Sequence, residues 1–258
     1  MFDRRRFLKI AGLSAIGLGA GSAIGVAEAL AAPKKEPYSP TEHGLHAGHW
    51  AMVIDTRKFE TPEDFQKLIS VCHKQHNVPS IPNNQEIKWL WTEKFEYSFP
   101  EQGNHHLAEE VKERDFLLLC NHCENPPCVR VCPTAATYRR ADGIVAMDYH
   151  RCIGCRFCMA GCPYGARSFN YGNPREFLNG VPNPDFPTRM RGVVEKCNFC
   201  VERLAEGLMP ACVEAAEGAL YFGDLNDPES EVRQVLAENF TIRRKPSLGT
   251  QPSVYYIV

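Results

Sequence analysis

Two runs decide the reading of this chain: Cys120-Asn-His-Cys123-Glu-Asn-Pro-Pro-Cys128-Val-Arg-Val-Cys132-Pro133 and Cys152-Ile-Gly-Cys155-Arg-Phe-Cys158-Met-Ala-Gly-Cys162-Pro163. Each offers three closely spaced thiolates, then a fourth beyond three intervening residues, followed by proline. In tandem runs of this kind the fourth Cys of each ligates the cluster held by the other. The spacing therefore implies two cross-tied [4Fe–4S] centres. Cys120, Cys123, Cys128 and Cys162 would hold one, and Cys152, Cys155, Cys158 and Cys132 the other. The first run has four residues between its second and third Cys where the second run has two, so its loop must bulge there. Paired thiolates also suit tetrahedral zinc. A zinc site, however, needs neither the closely following third thiolate nor the proline.

The chain has twelve cysteines, three times four. The two runs leave Cys72, Cys197, Cys200 and Cys212. The stretch Lys196-Cys197-Asn-Phe-Cys200-Val-Glu-Arg-Leu-Ala-Glu-Gly-Leu-Met-Pro-Ala-Cys212 resembles the ferredoxin-like electron-transfer subunits of bacterial membrane oxidoreductases, the group of the nitrite-reductase C and polysulfide-reductase B proteins. That family carries four cysteine runs and four clusters, and the last cysteine of its fourth run falls here at Ala216. Its first run follows a strand like Trp50-Ala-Met-Val-Ile-Asp55 and ends in a segment like Cys72-His-Lys-Gln-His-Asn-Val-Pro79. Between them, Phe59-Glu-Thr-Pro-Glu-Asp-Phe-Gln-Lys-Leu68 has no cysteine. The resemblance implies that all the missing positions served one cluster. It also implies that Cys72 with Cys197, Cys200 and Cys212 is the full set for that cluster's neighbour. The implied cofactors are three [4Fe–4S] clusters.

By its own pattern Cys72 lies on a helix. Thr61-Pro62-Glu63-Asp64 reads as a start, with a threonine cap, proline in the first turn and acids near the positive end of the dipole. Phe65, Leu68, Ile69 and Cys72 then share an apolar face. A lone Cys there would be an inert buried thiol; the fourth-ligand rule makes it a ligand.

The N-terminus resembles a twin-arginine export signal. Asp3-Arg4-Arg5-Arg6-Phe7-Leu8-Lys9 carries the motif, with Arg4 and Arg5 as the pair. A glycine-diluted apolar stretch runs from Ile10 to Ala27, and Ala29-Leu30-Ala31 offers a cleavage point. A retained anchor is the alternative, since the stretch approaches the roughly 17 residues a span needs. Cleavage after Ala31 removes four basic and two acidic residues, taking the net charge from −2 to −4. Twelve cysteines in an exported protein would ordinarily mean disulfides. The twin-arginine route carries folded proteins, so thiolates already bound to iron would not be free to oxidise. The expected location is the periplasmic face of the cytoplasmic membrane.

The small negative charge gives no reason to expect a nucleic-acid partner. Nineteen glycines and nineteen prolines suggest a loop-rich core wrapped round cofactors. Residues 1–31 read as the signal and 32–48 as a tether, with His43 and His46 in it and His49 at its end read as solvated. Residues 49–258 form the body. A strand at 50–55 and a helix at 62–75 open it, and Ile87 to Tyr97 alternates as a strand. Trp89, Trp91 and Phe95 read as packing residues. Arg114–Leu119, Gly143–Asp148 and Gly192–Lys196 each run into a cysteine loop. Strand, cysteine loop and short helix, repeated, describe an α+β protein with a duplicated bacterial-ferredoxin-like fold. A two-cluster module would occupy 120–169. Segments 50–76 and 193–222 would close into a one-cluster module. The proline-rich 172–187 stretch would be irregular, a helix would span 228–238, and 223–258 would form a closing segment.

No Cys-x-x-Cys-His haem attachment, dinucleotide fingerprint or phosphate loop occurs. With every cysteine used as a ligand, no iron is open to a substrate. The expected role is therefore electron transfer without catalysis, rather than a catalytic iron–sulfur enzyme or a zinc-binding module. Over nearly all of the body the chain resembles the O subunits of the membrane complex associated with dissimilatory sulfite reduction. The likeness rests on Leu117-Leu-Leu-Cys-Asn-His-Cys-Glu-Asn-Pro-Pro-Cys128 and Asp148-Tyr-His-Arg-Cys-Ile-Gly-Cys-Arg-Phe-Cys-Met159. It implies as partners a polytopic quinone-reactive membrane subunit of the nitrite-reductase D type and a multihaem cytochrome c. The alternative is the electron-transfer subunit of a molybdopterin oxidoreductase of the polysulfide or tetrathionate reductase type.

Overall fold

Strand β1 (Trp50–Asp55) is buried along its whole length, which explains why its sequence is a continuous apolar run and not an alternation. The structure, a computed structural model, describes residues 43–258; the expected export signal at 1–31 and residues 32–42 lie outside the described residues. After β1, helix α1 (Pro62–Gln75) starts where the sequence predicts. The Asp64 carboxylate accepts the backbone N–H groups of Thr61 at 2.9 Å and Glu60 at 3.1 Å, satisfying donors the helix cannot. Phe65, Leu68 and Cys72 are buried along its inner face.

Strand β2 (Leu90–Lys94) pairs antiparallel with β3 (Asp115–Leu119), Trp91 opposite Leu118. The predicted 87–97 strand is thus shorter than expected. It turns into one helical turn, Phe95–Ser98, because Phe95 and Phe99 then reach Phe116 together, at 5.9 and 5.0 Å between ring centres. Trp89, Trp91 and Phe95 are buried packing residues.

The cysteine-bearing half alternates very short elements: α2 (Pro127–Arg130), β4 (Thr137–Arg139), β5 (Val145–Met147), α3 (Phe157–Ala160), β6 (Ser168–Phe169), β7 (Val194–Glu195), α4 (Val201–Ala205) and α5 (Ala211–Ala215). β4 pairs with β5 and β6 with β7, both antiparallel. The 172–187 stretch is irregular apart from a 3-10 turn at Pro174–Phe177.

The chain closes with β8 (Leu220–Asp224), α6 (Glu231–Glu238), β9 (Thr241–Ile242) and β10 (Val254–Ile257). They join β1 in a sheet of order β8-β1-β10-β9. β1 runs antiparallel to β8 and parallel to β10, so Met52 faces Phe222 on one side and Val254 on the other. α6 begins three residues later than the sequence predicts. Asp227 first makes a turn, its carboxylate accepting Glu229 N–H at 3.0 Å and its carbonyl Ser230 N–H at 3.1 Å.

One expectation about the tether needs correcting. His49 is not simply solvated: its Nε2 lies 2.8 Å from Ser253 Oγ, and burial followed by the Arg139 charge lowers its pKa. Asp224 accepts Gly48 N–H at 2.7 Å and His49 N–H at 2.8 Å. Leu45 N–H donates to Leu204 O at 2.8 Å. This part of the tether is therefore held against the body.

Candidate metal centres

Three Cys-x-x-Cys pairs follow β3, β5 and β7, and all three share one backbone feature. The residue before the second cysteine is left-handed: His122 (φ 41°), Gly154 (φ 70°) and Phe199 (φ 57°). A left-handed residue in such a turn can aim successive N–H groups toward one side, the kind of concavity that holds anions and iron–sulfur centres. Gly154 is required twice over, since a Cβ there would come within 2.5 Å of Gly192 O.

The two Cys-Pro positions also match. The backbone N–H groups of Thr137, Thr134 and Ala136, just beyond Cys132, act to lower its pKa, and Thr134 Oγ1 lies 3.8 Å from its sulfur. Tyr164 and Ala166 do the same for Cys162. Burial raises the Cys132 thiol, but these donors outweigh it and hold its pKa below the ordinary value. At the more enclosed Cys162, burial and the Cys120 charge win and the pKa rises.

Cys120, Cys123, Cys128 and Cys162 line one small cavity with Pro126, Pro127 and Val145. This is the set the sequence assigns to one centre. Burial, then the neighbouring Cys120, pushes the Cys123 thiol up to about 12. Cys72, Cys197, Cys200 and Cys212 are all buried. Burial raises the Cys72 thiol most, and the other three follow as the next largest influences, so the four lie within one another's field. Cys212 is pushed up by burial to about 11. Of the remaining set, Cys158 lies in the field of Cys152. Cys132, Cys152 and Cys155 are half-exposed.

Clustered buried thiols with raised pKa values are poorly suited to standing alone as anions. A cationic metal core reverses this, because a coordinating thiol is deprotonated outright. The donor chemistry thus fits thiolate-bound metal, and the inward N–H groups fit an anionic iron–sulfur centre.

Beside the Cys72 set, His76, Cys200 and Glu202 bring donor atoms within 4.8 Å of one another. Cys200 also belongs to the four-thiol set the sequence assigns, which offers the softer donors an iron–sulfur centre takes. His76 instead forms part of the wall, with its Nε2 2.7 Å from Glu202 Oε1 and its ring stacked on Trp89 at 4.6 Å. Arg189 and Glu195 brace the same wall through a buried 2.6 Å ion pair. Trp89 Nε1 donates to that carboxylate at 3.0 Å, and Arg189 Nη2 to Asn77 O at 2.8 Å.

The segments without cysteines also meet. Phe59, Leu68, Ala215 and Ala216 line a common cleft between α1 and α5.

Sequence reasoning missed two residues at the thiols. Arg167 is buried and donates from Nη2 to Cys128 Sγ at 3.1 Å and from Nη1 to Thr137 Oγ1 at 3.1 Å. Lys196 is buried and donates from Nζ to Val145 O and, at 2.7 Å, to Cys197 O. No local signal marks them: Arg167 stands between Ala166 and Ser168, and Lys196 follows Glu195.

Residues 115–175 match the 4Fe-4S dicluster domain family, which makes this a ferredoxin-like iron–sulfur protein. The chain is 39% identical to the Hdr-like menaquinol oxidoreductase iron–sulfur subunit 1 of Archaeoglobus fulgidus, over 99% of this chain and 98% of that one. It is 34% identical to the B component of tetrathionate reductase from Salmonella typhimurium, over 99% and 88%. It is 36% identical to the menaquinone reductase iron–sulfur cluster-binding subunit of Nitratidesulfovibrio vulgaris, over 81% and 88%. The chain belongs to this family of iron–sulfur electron-transfer subunits of oxidoreductase complexes. Among the described residues no helix is long and apolar enough to cross a membrane.

Proposed function

We propose that the chain holds three [4Fe–4S] clusters and relays electrons between a quinone-reactive membrane subunit of the nitrite-reductase D type and other redox subunits, a multihaem cytochrome c among them. The ligand sets are Cys120/Cys123/Cys128/Cys162, Cys152/Cys155/Cys158/Cys132 and Cys72/Cys197/Cys200/Cys212. Each centre takes up and gives back one electron; the protein fixes its place, charge environment and access to solvent. The complex is linked to dissimilatory sulfur metabolism, and the chain reaches the periplasmic face of the membrane by twin-arginine export. The body is a duplicated ferredoxin fold, with a two-cluster module at 120–169, a one-cluster module from 50–76 with 193–222, and a closing segment at 223–258.

The observation that carries the number three is the meeting of Phe59 and Leu68 with Ala216. Residues of the cysteine-free stretch lie beside Ala216, in keeping with loss of one site, and on the ligand sets proposed the twelve cysteines divide into three groups of four. The repeated left-handed loop supports the duplication. The menaquinol oxidoreductase and menaquinone reductase relatives support a quinone-linked partner. The tetrathionate reductase relative favours a second reading, the electron-transfer subunit of a molybdopterin oxidoreductase. Iron analysis with electron paramagnetic resonance tests the cluster number. About twelve irons per chain are expected at four per cluster, and sixteen would refute three clusters. Purification with a quinone-reactive membrane subunit and a multihaem cytochrome supports the first assembly, and with a molybdopterin subunit the second.

A further inference from the structure

Six charged side chains in the body are buried: Asp55, Arg167, Arg189, Glu195, Lys196 and Arg244. Asp55 pairs with Arg57, and Arg189 with Glu195. Among the described residues no carboxylate bonds to Arg167, Lys196 or Arg244. A buried charge without a partner is strongly unfavourable, so each of the three needs a source of compensation. Arg244 reaches the carbonyls of Ser98, at 3.0 Å, and Tyr164, at 3.4 Å, and touches no thiol. Arg167 and Lys196 are different.

Arg167 lies in the fields of Cys128, Cys158 and Cys120, with the Cys128 sulfur in hydrogen-bond contact. It therefore sits where the Cys120 set meets the Cys152/Cys155/Cys158/Cys132 set. Lys196 donates to Val145 O, in the wall of the cavity lined by the Cys120 set, and to the carbonyl of Cys197. Cys120 is in turn the largest thiol influence on Cys197. Lys196 therefore sits where the Cys120 set meets the Cys72/Cys197/Cys200/Cys212 set. Each junction between neighbouring thiol sets holds one buried cation.

We propose that Arg167 and Lys196 are the counter-cations of the relay, one at each junction, and that their charge raises the reduction potential of the centres they flank. Reduction adds negative charge, and a nearby fixed cation stabilises the more negative state. Cluster potentials follow net charge, hydrogen bonds to sulfur and exposure, and Arg167 supplies two of these three. The negative centres in turn stabilise the two cations where no carboxylate does. An arginine keeps its charge at any working pH, which makes its contribution constant. This inference rests on the ligand sets proposed above.

The test uses the fully loaded chain, with potentiometric titration followed by electron paramagnetic resonance in wild type, Arg167→Gln, Arg167→Lys, Lys196→Gln and Lys196→Arg. Each neutral variant should lower the midpoint of at least one flanking centre by a tenfold change in its reduced-to-oxidised ratio, 59 mV for one electron. Each charge-keeping variant should recover most of that shift. Neutral variants that load fully and titrate as wild type would overturn the proposal. So would charge-keeping variants shifted as far as the neutral ones, which would make the role one of shape. If the neutral variants fail to assemble centres while the charge-keeping ones assemble them at near wild-type potentials, charge is the requirement and the proposal stands. Failure of both kinds alike would overturn it. Wild-type iron content is read separately, so a failure of the ligand assignment is distinguishable from a failure of this inference.

Discussion

Phe59 and Phe65 stack with ring centres 4.7 Å apart and planes 6° from parallel. The pair lies in the cysteine-free stretch 59–68, and Phe59 lines the cleft that also takes in Ala216. Phe65 is buried and Phe59 half-buried. Phe65→Ala should cost about 3 kcal/mol, typical of a large-to-small change at a packed aromatic, as measured by denaturant unfolding. Ala216→Cys alone should leave the iron content unchanged, because a fourth centre needs the partners that Phe59–Leu68 does not supply. A gain of about four irons, one cluster's worth, would contradict this.

Cys72 separates the three-cluster reading from an inert buried thiol. Cys72→Ser should remove one centre, lowering iron by about four per chain, while the two centres of the 120–162 block keep their spectroscopic signals. Full iron content with unchanged spectra would return Cys72 to the packing role its helix face first suggests.

At Gly154, any side chain meets both a left-handed backbone and the carbonyl of Gly192. The left-handed conformation alone costs a non-glycine residue roughly 1–2 kcal/mol. Gly154→Ala should therefore impair the centre on the Cys152 loop first, seen as selective loss of that centre's signal. Gly165, with φ 66° but open space around it, should tolerate alanine better.

Acid should loosen the segment before β1. Asp224 has a lowered pKa: burial raises it, but the N–H donors of Gly48, Asn226 and His49 outweigh that. A depressed carboxyl contributes stability that is fully present above its ordinary value of 3.8 and lost as pH falls through the folded value. His49, lowered by burial, works in the same direction from 6.5 downward, since the unfolded chain takes up the proton first. Amide-exchange protection at Gly48 and His49 should thus fall first below about pH 6.5, then again in the carboxyl range. Asp224→Asn should flatten the second step; persistence of that step in the variant would rule out Asp224 as its source.

Arg4→Lys with Arg5→Lys should hold the protein in the cytoplasm, because the signal is read by a receptor for the arginine pair. Cell fractionation measures this, and normal export of the double variant would refute the assignment.

The local elements were largely legible in the chain. The proline-bounded cysteine runs announce two clusters because ligand spacing is a one-dimensional property. The cap at Thr61 and the apolar run of β1 mark their elements through local backbone preference. Where local signals compete with packing they mislead: Ile87–Tyr97 alternates like a strand, yet Phe95 and Phe99 need a helical turn to meet Phe116.

The dicluster cysteine runs and the short elements around them are thus legible in sequence, since both are set by residues a few positions apart. Only the tertiary structure decided what lies between the thiol sets. Arg167 reaches Cys128 across 39 positions and Lys196 reaches Val145 across 51. Nothing local marks either residue as a charge carrier for a centre. Their burial without a carboxylate becomes visible only when the chain is folded, because the unfavourable free energy of a buried charge depends on everything packed around it.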